Sequence, residues 1–187
     1  MMPKLDRIVV IDIEATCWRK RSPPGEHHEI IEVGIATVDL TLGKPLEKDS
    51  ILVKPTLSKV SEFCTQLTTL TQEQVDTGVS FREACDRLQS EYHTHKRVWA
   101  SYGNYDLTQF EKQCEMLEVP YPFSTRHINI KTLLTVLHGL PKEVGMAQAL
   151  DLLNLPLIGT HHRGIDDAWN IAHILAHLMA AYRNGNG

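Results

Sequence analysis

The chain has 187 residues, of which 42% are hydrophobic and 22% charged, and its formal net charge is −4. These values fit one globular domain with a substantial core, and no apolar run approaches the roughly 20 residues that a membrane helix needs. The N-terminus lacks the basic-then-apolar layout of a signal peptide. Four scattered cysteines without a CxxC pair argue against a zinc site or a disulfide framework, so we expect a reduced, cytoplasmic protein.

The net charge does not by itself favour a nucleic-acid partner, because phosphate binding is largely electrostatic. Charge is local, however, and acids gathered around divalent ions would lower the formal total without repelling phosphate. Three consecutive basic residues, Arg19, Lys20 and Arg21, follow the first predicted strand. They fit a phosphate contact and a solvated loop equally well.

Alternating or β-branched apolar runs predict strands at residues 7–13, 29–40, 50–54 and 97–101. Capping boxes at Thr71 and Ser80 predict a short helical turn and a longer helix, and helical spacing predicts helices at 106–119, 129–138, 145–153 and 166–183. The first three strands are consecutive, so we expect them to pair antiparallel. This order predicts an α/β sandwich with one mixed sheet. We expect one domain over residues 1–187, ordered from about 5 to 183, with a frayed tail at 184–187.

Two acidic residues stand at the end of the first predicted strand. Asp12 and Glu14 are two residues apart, so both side chains leave the same face of the strand. Two like charges at the edge of an apolar sheet are costly unless a cation lies between them, and hard divalent cations such as Mg²⁺ or Mn²⁺ prefer oxygen ligands. The pair therefore indicates a metal site, with solvated acids at a strand end as the alternative.

Two further segments add acids to this set. Asp106 follows a short strand and a glycine, at a strand end where ligands gather in α/β proteins, although it could instead only cap its helix. His162 and Asp167 are five residues apart, across a polar loop and into the last predicted helix. We expect Asp166 to be the N-cap of that helix, which would let Asp167 point back toward the sheet.

Taken together, these motifs resemble the DEDDh 3′→5′ exonucleases of the DnaQ-like, RNase H-like superfamily. The segments IDIEATCW, EFCTQLTTLTQEQVD and HHRGIDDAWNIA are similar to the histone-mRNA and RNAi-related 3′ exonucleases of that group. Position 163 is Arg, which distinguishes the chain from the DEDDy form, and Thr69 stands where many relatives have Gly. The resemblance implies a central mixed five-stranded sheet flanked by helices.

The resemblance also implies metal-assisted hydrolysis of a terminal phosphodiester. Asp12, Glu14, Asp106 and Asp167 would hold two divalent ions, Mg²⁺ or Mn²⁺, with no other cofactor. His162 would take the proton from the attacking water, because imidazole titrates near neutral pH, and Glu14 counts as the second catalytic residue.

The substrate contacts implied by the resemblance lie around the first motif. Glu14, Ala15, Thr16 and His162 would contact the terminal nucleotide. Leu67 would wedge against its base, although packing in the core explains Leu67 equally well. The implied partners are nucleic-acid 3′ ends, with RNA favoured over DNA, and no membrane; protein partners stay open.

Three functions remain in competition on the sequence alone. The favoured one is a 3′→5′ exoribonuclease that releases nucleoside 5′-monophosphates from single-stranded RNA or 3′ overhangs. The second is a DNA 3′→5′ exonuclease of the proofreading or repair type. The third, a non-catalytic nucleic-acid-binding module, is disfavoured because all four carboxylates and the histidine are present.

Overall fold

A mixed five-stranded sheet lies at the centre of the fold. The computed structural model describes residues 4–185, and its strands are β1 (Arg7–Ala15), β2 (Ile30–Asp39), β3 (Lys44–Leu52), β4 (Val98–Ser101) and β5 (His127–Asn129). They lie in the order β3-β2-β1-β4-β5. β1 and β3 each pair antiparallel with β2, whereas β4 runs parallel to β1 and β5 parallel to β4. The predicted α/β fold, with three antiparallel first strands in a mixed sheet, is confirmed.

Helices cover both faces of this sheet. Those within residues 4–185 are α1 (Glu62–Thr68), α2 (Gln72–Asp76), α3 (Phe81–Glu91), α4 (Tyr105–Met116), α5 (Ile130–Leu137), α6 (Met146–Leu152) and α7 (Gly164–Gly185). Ser61, Thr71 and Ser80 begin the first three, each accepting a hydrogen bond from a backbone N–H of the first turn. In this described part of the chain, no helix has the length and apolar character needed to cross a membrane.

The side chains of β1 alternate between two apolar cores. One core, which includes residues of α3 and α4, takes Val9, Ile11 and Ile13. The other, which includes residues of α5, α6 and α7, takes Ile8 and Val10. The acids at positions 12 and 14 continue the even-numbered series, so they emerge on the α7 side where β1 ends.

Two glycines let α7 begin directly on the sheet. Gly34 lies opposite Asp12 in the pairing of β1 with β2. A Cβ atom at Gly34 would overlap the backbone carbonyl of Gly164, the first residue of α7. Because neither residue carries a side chain, the first turn of α7 rests beside the end of β1.

Several predicted boundaries are wrong. β3 begins at Lys44 rather than at residue 50, because its first half (KPLEKD) is a largely exposed edge strand without the apolar alternation that marks strands. α1 and β5 are not predicted at all, and both are short. α7 begins at Gly164 and extends through Gly185, so residues 184 and 185 of the expected tail are helical, whereas 186–187 lie outside the described residues. The assignment of residues 1–187 to one domain stays a prediction.

Candidate active site

A pocket of about 340 Å³ opens where β1 ends. The four predicted carboxylates and the predicted histidine all line it: Asp12, Glu14, Asp106, His162 and Asp167. Glu14, Asp106 and Asp167 are buried, and Asp12 is partly exposed. The fold therefore brings together residues that are separated by more than 150 positions in the chain.

Three of the carboxylates are close enough to share one cation. One oxygen each from Asp12, Glu14 and Asp167 lies within 4.8 Å of the others. The two-residue period of β1 provides the first two, and the first turn of α7 provides the third. An all-oxygen donor set of this kind fits a hard divalent cation such as Mg²⁺ or Mn²⁺.

Asp106 belongs to the pocket and does not only cap its helix. It lies in the first turn of α4, whose N-cap residue is Asn104. Its Oδ1 atom accepts a hydrogen bond of 3.0 Å from the backbone N–H of Ile13, between the two acids of β1. This bond fixes the start of α4 to β1 and keeps the Asp106 carboxylate next to the cluster.

Burial shifts the pKa values of all four acids upward, and repulsion from neighbouring acids adds to the shift at Asp12 and Glu14. Burial, then the charges of Asp106 and Glu14, raise the pKa of Asp12 well above its usual range. Burial, then Asp167 and Glu32, raise the pKa of Glu14 to about 8. Burial raises the pKa of Asp106 to about 6 and also raises that of Asp167, in both cases against hydrogen bonds that favour the charged form. A bound cation would relieve this repulsion.

Two histidine rings flank Asp167 rather than the predicted one. The backbone N–H of His162 donates to Asp167 Oδ2 at 2.9 Å, and His161 Nδ1 lies 2.9 Å from the same oxygen. The rings stack with centroids 4.0 Å apart. Burial, then the His161 ring, lower the pKa of His162, while Asp167 opposes this shift. The neutral form of His162 is therefore favoured.

A fifth acid, Glu32, binds the residues at the start of α7, the helix that carries Asp167. It is fully buried and lies opposite Glu14 in the pairing of β1 with β2. Its carboxylate accepts from Arg163 Nε and Nη2 at 3.3 and 3.2 Å, and from the backbone N–H of Gly164 at 2.9 Å. The Ser50 hydroxyl donates to it at 2.7 Å. Glu32 thus caps the N-terminus of α7. Its negative charge is balanced by Arg163, the residue that follows His162 in the sequence.

All of the predicted substrate-binding residues except Thr16 line the pocket. Ala15 and Leu67 line the pocket, so Leu67 is not simply a core residue. Thr16 does not line the pocket and is fully buried, so its predicted contact with the nucleotide stays a prediction. Its hydroxyl donates to the His27 carbonyl at 2.8 Å and accepts from the Glu29 N–H at 2.9 Å.

Several pocket residues were not predicted from the sequence; they are Ile13, Cys17, Tyr102, Tyr105, Met146 and His161. The two tyrosines flank the strand-to-helix junction that carries Asp106, and a search for aromatic residues there would have found them. Met146 begins α6, more than 30 residues away from every other lining residue except the two histidines and Asp167. No local pattern marks it.

The predicted role of Asp166 as N-cap is also wrong. It is the third residue of α7, and Glu32 supplies the cap at the Gly164 N–H instead. The Asp166 carboxylate turns away from the pocket, accepting from the Thr160 N–H at 2.9 Å and from Lys48 Nζ at 2.6 Å.

Comparison with known proteins agrees with this arrangement. Residues 9–175 match the exonuclease family RNase_T. The chain is 30% identical over 185 residues to the 3′-5′ exoribonuclease 1 of Rattus norvegicus, covering 93% of this chain and 53% of that relative. The chain therefore spans about half the length of the curated relative that it matches.

Solved structures show the same similarity. The nuclease domain of 3′hExo, a DEDDh family member bound to rAMP, superposes with a TM-score of 0.86 at 27% identity, covering 97% of this chain and 95% of that one. A 3′-exonuclease in a structure of 3′-end-specific recognition of the histone mRNA stem-loop gives 0.85 at 26% identity, over 96% and 65% of the two chains. The chain belongs to the RNase_T exonuclease family and to its DEDDh group, and within that group it resembles the histone-mRNA 3′ exonucleases.

Proposed function

We propose that this protein is a divalent-metal-dependent 3′→5′ exoribonuclease. It removes nucleoside 5′-monophosphates from the 3′ end of single-stranded RNA or of 3′ overhangs. The observation that carries the proposal is the cluster of Asp12, Glu14 and Asp167, with oxygens within 4.8 Å of one another in a pocket of about 340 Å³. A pocket of this volume is of the size that holds a single small ligand, such as one nucleotide.

The donor set favours metal ions over purely acid–base chemistry. Once ionised, four carboxylates in one pocket would repel an anionic phosphate unless a cation neutralised them, and their raised pKa values show that the pocket disfavours this charge in the absence of a cation. Two divalent ions held by Asp12, Glu14, Asp106 and Asp167 would supply the charge that activates water and stabilises the departing 3′ oxygen.

His162 is the proposed base. Its pKa is lowered, so a ring nitrogen is free to accept a proton near neutral pH. The bond from its backbone N–H to Asp167 holds the ring at the pocket wall, next to the carboxylates. His161, stacked on it, orients the ring.

The names of the relatives and the position of the first motif at the pocket wall support a preference for RNA. The relative in Rattus norvegicus is named an exoribonuclease, and the 3′hExo domain was solved with rAMP. The backbone around Glu14 and Ala15 lies at the pocket wall, where a hydrogen bond to a 2′-hydroxyl would distinguish RNA from DNA. Such a bond contributes about 1 kcal/mol, so we propose a preference of roughly fivefold.

The test is a time course on 5′-labelled RNA and DNA of one sequence, with Mg²⁺ and with or without a 3′-phosphate block. We expect a ladder with one-nucleotide steps on RNA that does not begin on the blocked strand, and mononucleotides as the released product. A blunt duplex should be degraded more slowly than a single strand, because the terminal nucleotide must unpair to enter the pocket.

The other outcomes separate the competing functions. Equal or faster digestion of DNA would favour the DNA exonuclease. Strand binding without product would favour a non-catalytic module. Cuts inside circular RNA would contradict release from a 3′ end.

A further inference from the structure

A loop closed at its base stands beside the pocket. It spans residues 17–28, between the end of β1 and the start of β2. Thr16, at the N-terminal end, bonds to the C-terminal end of the loop: its backbone N–H donates to the Glu29 carbonyl at 2.8 Å, and its hydroxyl bonds to residues 27 and 29. Loops of this length with their ends held together are compact surface structures rather than loose linkers.

This loop carries three exposed cations in a row, Arg19, Lys20 and Arg21. Within residues 4–185, none of the three forms an ion pair with a carboxylate, whereas Arg7, Lys48, Arg87, Arg97 and Arg163 each do. Their charge is therefore not neutralised by the protein and is free to act on an anion.

The position of the loop is set by contacts with α1. The Ser61 hydroxyl donates to the carbonyl of Cys17, a pocket residue, at 2.5 Å. The Arg19 guanidinium lies over the ring of Phe63, 5.4 Å from its centroid. Phe63 is one helical turn, about 6 Å along the axis, from Leu67 in the pocket wall. The three cations thus begin roughly one turn of helix outside the pocket.

Cations at this position would compensate for the weak attraction of the pocket for phosphates. The pocket is lined by carboxylates and the chain has a net charge of −4, so the phosphates behind the terminal nucleotide meet little general attraction. Proteins that hold single strands do so with cations that follow the backbone. An unpaired basic segment at the rim would supply that attraction without placing cations among the metal ligands.

We propose that Arg19, Lys20 and Arg21 bind the phosphates of the strand immediately 5′ of the nucleotide being removed. This inference rests on the proposed function, because it names the part of the same substrate that lies outside the pocket. The cation–π contact with Phe63 positions the first of the three. The segment would then make turnover depend on strand length and on salt.

The experiment compares kcat/KM on a dinucleotide and on a 12-nucleotide RNA over a series of KCl concentrations. The loop variant is Arg19→Gln with Lys20→Gln and Arg21→Gln. We expect kcat/KM on the 12-mer at low salt to fall about tenfold and its salt slope to decrease by about 2, since each phosphate contact on a single strand contributes about 0.7. Turnover of the dinucleotide should stay within about twofold.

A matched control removes the same charge at the opposite end of the sheet. Lys44 begins β3, Lys96 precedes β4 and Arg126 precedes β5, and Lys44→Gln with Lys96→Gln and Arg126→Gln should leave the salt slope unchanged. An equal loss in this control would show a general charge effect and overturn the proposal. So would an unchanged loop variant, or one that loses dinucleotide and 12-mer turnover equally.

Failure of the proposed function would be recognised separately. If the unmodified protein hydrolyses neither RNA, fluorescence anisotropy of the labelled 12-mer still tests the loop. A salt slope of binding that decreases in the loop variant and not in the control would support the phosphate contact. Equal slopes in all three proteins would overturn it.

Discussion

Adjacent residues at the start of α7 have opposite roles. Asp167 turns inward to the carboxylate cluster, whereas Asp166 turns outward to Lys48 and the Thr160 N–H. Successive residues of a helix point about 100° apart, so one register places one acid in the pocket and one outside it.

Asparagine at each position tests this register. Asp166→Asn keeps an oxygen for the Thr160 N–H and loses only a partly exposed ion pair, so we expect a loss in unfolding free energy of about 1 kcal/mol or less and nearly full turnover. Asp167→Asn should lower kcat by orders of magnitude, because a neutral amide is a poor ligand for a hard cation. Steady-state rates beside thermal unfolding would decide, and equal losses in kcat would show that the register is misassigned.

Single substitutions likewise distinguish the roles of the two stacked histidines. His162→Ala should lower the rate by roughly 10²–10⁴ and remove the rise of activity with pH, which the lowered pKa of His162 places below the ordinary histidine range, while metal and oligonucleotide still bind. His161→Ala removes an orienting contact but no base, so we expect a smaller loss with the pH profile retained. The pH dependence of kcat for both variants is the measurement. A His162→Ala profile that matches the unmodified protein would rule out this base.

At the scale of elements, the join between α7 and the sheet decides whether the site forms. The sequence predicts the strand and helix that carry the acids, because apolar periodicity marks both. It does not predict the contact of Gly34 with Gly164 or the Glu32 cap, because both depend on residues about 130 positions apart. The register error at Asp166 has the same origin: the helix is capped by a distant strand and not by its own side chain.

Gly34→Ala tests this join. Its methyl group would overlap the Gly164 backbone, so α7 must shift away from β1. We expect a loss in unfolding free energy of about 1–3 kcal/mol, together with a lower kcat, because Asp167 moves with the helix. Gly185→Ala, at the far end of the same helix, is the control, since nothing lies within 4 Å of the added Cβ atom. Unchanged stability and turnover in Gly34→Ala would mean that the close approach is not required.

Two other features, the start of β3 and the role of Thr16, could not be predicted because the local sequence pattern is uninformative. β3 begins with polar residues on a sheet edge, and its pairing follows from β2 rather than from its own pattern. Thr16 lies within a motif whose neighbours face the pocket, yet its side chain closes the base of the 17–28 loop instead. In both cases the local pattern carries no information about the partner that determines the outcome.

At the scale of the whole molecule, the acids should make stability depend on pH and on metal. A carboxyl group with a raised pKa in the folded state holds a proton that the unfolded chain releases, so stability falls as pH rises from the ordinary carboxyl range toward the pKa of about 8 at Glu14. In EDTA, the Tm advantage of Asp12→Asn over the unmodified protein should therefore grow between pH 5 and pH 8.

Mg²⁺ should reduce that advantage, because bound cations stabilise the charged acids of the unmodified protein. Comparing each variant with the unmodified protein at the same pH cancels the opposite contribution of histidines whose pKa values are lowered, such as His127 and His173. A Tm difference that stays constant with pH in EDTA would contradict the raised pKa values.

The most direct test of the whole account is the metal dependence of RNA hydrolysis. Product release from single-stranded RNA is measured in EDTA and then during titration with Mg²⁺ or Mn²⁺, for the unmodified protein and for Asp12→Asn. We predict no turnover in EDTA and full recovery on titration for the unmodified protein, with recovery lost in Asp12→Asn although its fold is intact by circular dichroism. Turnover that persists in EDTA, or an Asp12→Asn variant that recovers fully, would contradict metal-dependent hydrolysis at this carboxylate cluster.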